Sequence, residues 1–173
     1  MSLSLSYYNV RNILLKYGLD IMETQEFQEA FQQEHHYNTT VAEHSVNVAV
    51  IGIMICLLLS RIHVEMDMRM VVRASLCHDL GIMGRKTKYR NEIQCCWQHP
   101  LDSVEVAKKI LPDADWKTLN CIETHMWPVR PGCPKSMEAF VITLADKGAA
   151  VMECAHRGEP YHCRHIVVRY AVI

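Results

Sequence analysis

Four histidines and two aspartates in the middle of this 173-residue chain have side chains suited to metal binding. Imidazole nitrogen and carboxylate oxygen without a thiolate suit iron, manganese, cobalt or zinc. Six such donors are enough to hold two metal ions. In chain order the six residues are His44, His78, Asp79, His99, His125 and Asp146.

Each of these residues, taken alone, also has a purely structural explanation. A single histidine on an apolar helix face is more often a hydrogen-bonded core residue than a ligand. Asp79 could end a helix, and Asp146 could pair with a neighbouring basic side chain. The joint order favours the metal centre, because His44 and Asp146 lie on inward helix faces, where an unpaired carboxylate is costly and a cation offsets that cost.

Helices are the elements that must position these side chains. Apolar residues recur mostly at helical spacing and alternating strand patterns are scarce, which predicts an all-helical fold. Residues 84–91 and 126–135 carry loop signals, and three prolines exclude a helix from the second. We predict seven helices, at 7–17, 23–36, 40–61, 67–81, 100–111, from Asp113 or Asp115 to 125, and 136–154. Gly18 would end the first, the capping box Thr40-Val-Ala-Glu43 would begin the third, and Pro100 would begin the fifth.

Bulk properties restrict the partners of the chain. A net charge of −1 gives no long-range field that would recruit nucleic acid or an anionic membrane. The most apolar run, 48–59, is shorter than the roughly 20 residues that span a bilayer, so it predicts a buried helix. The start lacks the pattern of a secretory leader, and the eight cysteines form no Cys-x-x-Cys pair. We therefore expect reduced thiols in a cytoplasmic protein.

The short motifs around the candidate ligands carry a family resemblance. Cys77-His-Asp-Leu-Gly81 is similar to the signature of the HD-domain superfamily of metal-dependent hydrolases, in its His-Asp-Ile-Gly variant with leucine for isoleucine. The stretch 41–49 resembles the helix of that family's first ligand. His99-Pro100, the run 124–128 and Leu144-Ala-Asp146-Lys147 are similar to later motifs of small bacterial HD proteins. The resemblance covers 40–153 and implies an HD-type helical bundle with a buried metal site.

The resemblance also implies a division of the ligands between two ions. His44, His78 and Asp146 would complete one coordination sphere, His99 and His125 would serve the other, and Asp79 would bridge them. This differs from the single-metal site of HD nucleotidases. We expect iron or manganese first, with zinc, cobalt, nickel and magnesium as alternatives. In the hydrolytic interpretation the ions lie about 3.5–4 Å apart and turn the water between them into a hydroxide at neutral pH.

Basic residues follow the signature in a glycine-flanked loop. Arg85 and Lys86 could clamp a phosphate, because arginine offers a bidentate fork and lysine a point charge. With Asp79, they are our predicted catalytic residues, although a solvated loop fits Arg85 and Lys86 equally well. For Lys88 and Arg90 we favour the solvated interpretation. Lys147 either supports the neighbouring Asp146 or contacts substrate. Adjacent residues on a helix point about 100° apart, which favours the supporting role.

The preferred function is a metal-dependent phosphohydrolase, either a phosphomonoesterase or a phosphodiesterase. Its substrate would be a nucleotide, a cyclic nucleotide or a small phosphorylated metabolite. Ile82 follows the signature glycine where His-Asp-Ile-Gly phosphodiesterases have lysine, and the Gly-Tyr-Pro signature of cyclic-di-GMP hydrolases is absent from the sequence. Both departures weaken assignment to that subgroup. The alternatives are an HD-type mixed-valent di-iron oxygenase that cleaves a C–C or C–P bond and a non-catalytic nucleotide-binding HD module.

We expect a single HD domain over 1–173, with the core motif region at 40–153, N-terminal helices at 6–36 and a C-terminal tail at 158–173. The expected partner is a small phosphorylated substrate, with no membrane and no extended nucleic acid. Because the tail ends in an apolar run, we expect it to pack on the core or to form a homodimer.

Overall fold

The computed structural model describes residues 7–35 and 39–155, and within these ranges the protein consists of helices and loops without a β-strand. The all-helical prediction is confirmed. Short 3-10 turns at Ala30–Gln32 and Leu80–Ile82 accompany the α-helices. The α-helices are α1 (Tyr7–Met22), α2 (Gln25–Glu29), α3 (Val41–Ser60), α4 (Met68–Cys77), α5 (Arg85–Lys88), α6 (Glu92–Ile110), α7 (Trp116–Thr124) and α8 (Met137–Ala155).

Helix α3 is the central element and packs against both α4 and α8. It begins with the predicted capping box, in which Thr40 Oγ1 accepts from the Glu43 amide and the Glu43 carboxylate accepts from the Thr40 amide. By length and composition α3 could cross a membrane, but 67% of its most apolar window is buried inside the protein. Its apolar side chains build the core, as the run 48–59 predicted.

Polar residues begin three further helices where the sequence predicted them. Asp67, Asp115 and Ser136 each accept a hydrogen bond from the backbone amide three residues later, at 2.9, 2.8 and 3.2 Å. These side chains satisfy amides that have no partner within the helix. The starts of α4, α7 and α8 are therefore determined locally.

Gly18 does not end the first helix, and this prediction is wrong. Helix α1 continues through Gly18 to Met22 and packs against α4. A Cβ atom at Gly18 would lie 2.4 Å from Leu76 Cδ1 and 3.1 Å from Val72 Cγ1. The glycine thus allows two helices to approach closely, which a local helix-stop signal cannot distinguish from a cap.

The predicted helix over 23–36 is also wrong. Helical structure ends at Gln32, and the chain then forms a short antiparallel bridge between Glu34 and Thr40. The His35 amide donates to Thr39 O and the Val41 amide donates to Gln33 O, both at 2.9 Å. These backbone groups are satisfied across the bridge, so they do not continue a helix.

Pro100 lies inside α6 and does not begin it. The helix begins after Asn91, whose Oδ1 accepts from the Gln94 amide at 2.8 Å. The asparagine cap decides the start, and the helix tolerates the single backbone hydrogen bond that proline removes. The predicted loop at 84–91 also contains the one-turn helix α5.

Buried side chains from α1, α3, α4, α6, α7 and α8 form one large core cluster. The seven cysteines of the described ranges are free thiols, four of them buried in this core, as expected. The tail at 158–173 lies outside the described residues. Its packing, the homodimer and the single-domain division over 1–173 therefore stay predictions.

Candidate metal centre

The six predicted metal ligands come from different helices and meet in the interior of the bundle. His44 lies in the first turns of α3, and His78 and Asp79 directly follow α4. His99 lies within α6, His125 follows α7, and the last aspartate lies within α8. The exposed fractions are 0% for His44 and His78, 1% for His125, 3% for Asp79, 4% for His99 and 9% for Asp146.

Asp79 stands at the centre of this cluster, and its two carboxylate oxygens face different histidines. Oδ1 is 3.1 Å from His99 Nε2 and 3.4 Å from His125 Nε2. Oδ2 is 3.5 Å from His78 Nε2 and 3.9 Å from His44 Nε2. One carboxylate therefore joins two groups of imidazoles, which is the arrangement a bridging ligand requires.

Asp146 contributes a second carboxylate on the Oδ2 side of Asp79. Its Oδ1 is 3.1 Å from His44 Nε2 and 3.8 Å from His78 Nε2. The donor atoms of His44, His78 and Asp146 all lie within 4.8 Å of one another. Two imidazoles and a carboxylate are thus close enough to share one ion.

The opposite ring nitrogen, Nδ1, of each of the four histidines is held by an acceptor outside the cluster. Nδ1 of His78 donates to Ser75 O at 2.7 Å, and Nδ1 of His125 donates to Ile122 O at 2.7 Å. In the same way Nδ1 of His99 donates to Cys95 O at 2.8 Å, and Nδ1 of His44 lies 3.0 Å from Glu153 Oε2. Such contacts fix the tautomer and leave the Nε2 lone pairs directed at the centre.

These lone pairs need a positive charge between them. His99 Nε2 and His125 Nε2 are only 2.9 Å apart, and each ring already donates through Nδ1. Buried His78 Nε2 has no hydrogen-bond partner within residues 7–35 and 39–155. Inward-facing lone pairs beside two carboxylates fit metal ions, and an apolar core would leave them unsatisfied.

Protons take up part of this role in the metal-free chain. Burial alone would lower the pKa of His44, but its contacts with Asp146 and Glu153 outweigh burial and raise the pKa to about 10. The same balance applies at His99, where the hydrogen bond to Asp79 raises the pKa to about 10. These two rings therefore carry positive charge at neutral pH when no ion is bound.

The two aspartates stay ionised for the complementary reason. Burial alone would raise the pKa of Asp79, but its electrostatic interactions with His78 and the other facing histidines outweigh burial and hold the pKa well below its usual value. The hydrogen bond from His44 does the same for the pKa of Asp146. At His125, burial lowers the pKa, so this ring is neutral and available as a ligand.

A comparison with protein families agrees with this donor set. A family model described as HD domain matches residues 41–150, which include all six predicted ligands. The chain belongs to the HD domain family. No curated protein and no solved structure matches it. HD domains mark a superfamily of metal-dependent phosphohydrolases, so the family predicted from the motifs is confirmed.

Gly81 holds the His-Asp signature of this HD domain against α6. A Cβ at this position would lie 2.1 Å from Ser103 N and 2.7 Å from His99 O. The Gly81 amide also donates to Ser103 Oγ at 2.9 Å. Only glycine allows this contact, which sets the distance between Asp79 and the helix that carries His99.

Sequence reasoning missed two residues at the site. Glu153, 5% exposed, holds His44 Nδ1 and accepts from Asn47 Nδ2 at 2.7 Å. A signal was present, because Glu153 lies two helical turns after Asp146 and so shares its face of α8. His35, which no sequence motif singled out, is the second of these residues. Its side chain is 6% exposed, and its Nε2 is 3.1 Å from Asp79 Oδ2.

A cleft of about 260 Å³ leads to the centre of the HD domain. The loop after α7 contributes Met126 and Val129 to one wall. Five members of the cluster line the cleft, whereas His44 and His78 lie behind it. The five are His35, Asp79, His99, His125 and Asp146.

The structure separates the basic residues that sequence analysis grouped together. Arg85 lines the cleft and forms an ion pair with Glu92. Lys86 is exposed and does not line the cleft, so the structure does not bring this predicted residue to the site. Lys88 donates to Gly81 O at 2.8 Å and has a structural role. Lys147 lines the cleft and donates to the carbonyl oxygen of the histidine that follows α7, at 2.9 Å.

Proposed function

We propose that this HD domain is a dinuclear metal-dependent phosphohydrolase that acts on a small phosphorylated substrate. The position of Asp79 is the observation that carries the proposal. Its two oxygens face separate groups of inward-directed Nε2 atoms, and every one of those rings is held through Nδ1. A single-ion site would not need imidazoles on both oxygens of one carboxylate.

His44, His78 and Asp146 would hold one ion, His99 and His125 the other, and Asp79 would contact both. Ions held there would supply Lewis acidity, which lowers the pKa of a water molecule and neutralises charge on phosphoryl oxygens. The chain's own contribution is to hold the donors in place. Because each Nδ1 is already occupied, the rings do not reorient when ions or substrate arrive.

The cleft supports a small substrate. Its volume of about 260 Å³ lies just below the usual range of ligand pockets, about 300–1,000 Å³. Such a volume suits a phosphate with a small organic group, which supports a small substrate over extended nucleic acid. Arg85 and Lys147 line the cleft, and both can contact an anion while Asp79 and the histidines stay buried. A guanidinium offers phosphate a bidentate contact, and that of Arg85 would exchange its ion pair with Glu92 for such a contact.

The test begins with the metal content of the purified chain, measured by mass spectrometry, and its activity on a panel of phosphomonoesters, nucleotides and cyclic nucleotides. We expect two ions per chain and hydrolysis of at least one class. The substitution Asp79→Asn should lower kcat/KM by at least about a hundredfold, since several kcal/mol of metal-ion stabilisation depend on this carboxylate. Asp113→Asn, at an exposed position in an ion pair with Arg69, is the matched control and should leave kcat/KM unchanged.

Two outcomes would contradict the proposal. Two irons with a mixed-valent paramagnetic signal and substrate-dependent oxygen uptake, without phosphoester hydrolysis, would establish the oxygenase alternative. A chain that binds no metal and hydrolyses nothing would instead favour a non-catalytic nucleotide-binding module.

A further inference from the structure

His35 reaches the metal centre from outside the six-residue set. Its Nε2 lies 3.1 Å from Asp79 Oδ2, and its ring centroid lies 4.6 Å from that of His44. One donor atom from each of His35, His44 and Asp79 falls within 4.8 Å of the other two. This spacing is the same as that found among the predicted ligands.

The backbone holds His35 in this position. The Glu34–Thr40 bridge closes the segment before α3, and the His35 amide donates to Thr39 O within it. The Gly84 amide donates to Gln33 Oε1 at 3.1 Å, which joins this segment to the chain after the His-Asp signature. The approach of His35 to Asp79 is therefore built into the fold from both sides.

The donors around Asp79 divide into two unequal groups. The Oδ2 group consists of His35, His44, His78 and Asp146, and the Oδ1 group consists of His99 and His125. Counting Asp79 in both, the first group has five protein donors and the second has three. His44 and His78 are fully buried, whereas His35, Asp146 and both members of the Oδ1 group line the cleft.

We propose that His35 is a further metal ligand, which completes the Oδ2 group. This inference rests on the proposed function in requiring that the site holds metal. A site closed by protein donors retains its ion, whereas catalytic sites keep positions open for water or substrate. The Oδ2 group therefore binds its ion first and more tightly. The Oδ1 group, which has fewer protein donors, binds a weaker ion and keeps positions open for the substrate phosphate.

Titration of the metal-free, full-length chain with Co²⁺ tests this proposal. Calorimetry and visible absorption should resolve a tight step and a weak step in the wild type. His35→Gln should weaken the tight step by at least about tenfold, which is the lower end of the effect of losing even an indirect metal contact. The weak step should not change. His63→Gln, at an exposed histidine near the end of α3, is the control and should alter neither step.

A second readout is made on the wild type, so it holds even if the variant does not fold. With one equivalent of Co²⁺, proton NMR of the wild type should show hyperfine-shifted ring N–H signals from three histidines, those of the Oδ2 group. His35→Gln should reduce this number to two.

The outcomes separate the two proposals. No Co²⁺ binding by the wild type would refute the proposed function as well as the role of His35. Two binding steps that are the same in wild type and variant, or two shifted signals in the wild type, would overturn the role of His35 alone. If the variant fails to fold by circular dichroism, the signal count in the wild type decides.

Discussion

Metal binding at this centre should release protons, and the number released follows from two histidines. In the metal-free chain the pKa of His44 and the pKa of His99 are both raised to about 10. An imidazole must lose its proton from Nε2 before it can bind a metal ion there. One of the two rings belongs to the Oδ2 group and the other to the Oδ1 group. Each ion should therefore displace one proton near neutral pH.

The size of the pH effect on metal affinity follows from the difference between this pKa and the pH of the experiment. A ring with a pKa about three units above the pH costs about 4 kcal/mol to deprotonate, at about 1.4 kcal/mol per unit. The raised pKa thus lowers metal affinity at neutral pH, because the ring must first be deprotonated. This free-energy cost decreases as the pH rises toward the pKa. Each association constant should rise about tenfold per pH unit, or about a hundredfold over two units.

The assay is calorimetric titration with Mn²⁺ in buffers of different ionisation enthalpy, over two pH units around neutrality. The dependence of the observed heat on the buffer counts the protons released, and we expect about one per ion. Affinities that stay constant across this range, with no proton release, would refute the reasoning. They would mean that His44 and His99 are neutral in the metal-free chain.

Three substitution experiments test the framework around this centre. Gly81→Ala should destabilise the fold by about 1–3 kcal/mol or more in chemical denaturation, because the added Cβ meets backbone atoms that cannot rotate away. Gly148→Ala is the control: a Cβ there has no neighbour within 4 Å, so the substitution should be neutral or slightly stabilising. Glu153→Gln should weaken metal binding by about 10- to 100-fold in a competition assay, and an unchanged affinity would contradict its role at His44 Nδ1. Arg85→Ala should raise KM for a phosphoester more than it lowers kcat. Glu92→Gln frees the Arg85 guanidinium and should lower KM. A KM that falls in Arg85→Ala and rises in Glu92→Gln would exclude Arg85 from substrate binding.

Helix starts could be predicted from the sequence because their causes are local. Thr40, Asp67 and Ser136 each satisfy an amide a few residues away, and that relation is visible in the spacing. Gly18 and Pro100 led to wrong helix bounds for two different reasons. The role of Gly18 depends on residues remote in sequence, and that of Pro100 on a stronger cap nearby. Gly18 serves contact with α4, and the cap before α6 overrides the proline.

The predicted donor set meets in space because all six residues lie on inward helix faces or at helix ends. Residues that contact the set from elsewhere were harder to predict. His35 depends on a bridge that no periodicity indicates, and the role of Glu153 appears only once α8 is placed beside α3. Lys86 shows the opposite case, because it is adjacent to Arg85 in sequence but does not line the cleft.

The difference between local and remote support is clearest in how the histidine rings are held. His78 and His125 directly follow α4 and α7, and each ring donates Nδ1–H to the carbonyl three residues earlier; His99 uses the carbonyl four residues earlier. At a helix C-terminus such carbonyls lack a helical partner, so the helix end itself orients the ligand. His44 lies at the N-terminal end of α3, where the preceding backbone is only beginning its helical turn, and its Nδ1 is held by a carboxylate from α8. The ring at the N-terminus is therefore the one whose orientation depends on tertiary structure, and loss of α3–α8 packing should disturb the Oδ2 group before the Oδ1 group.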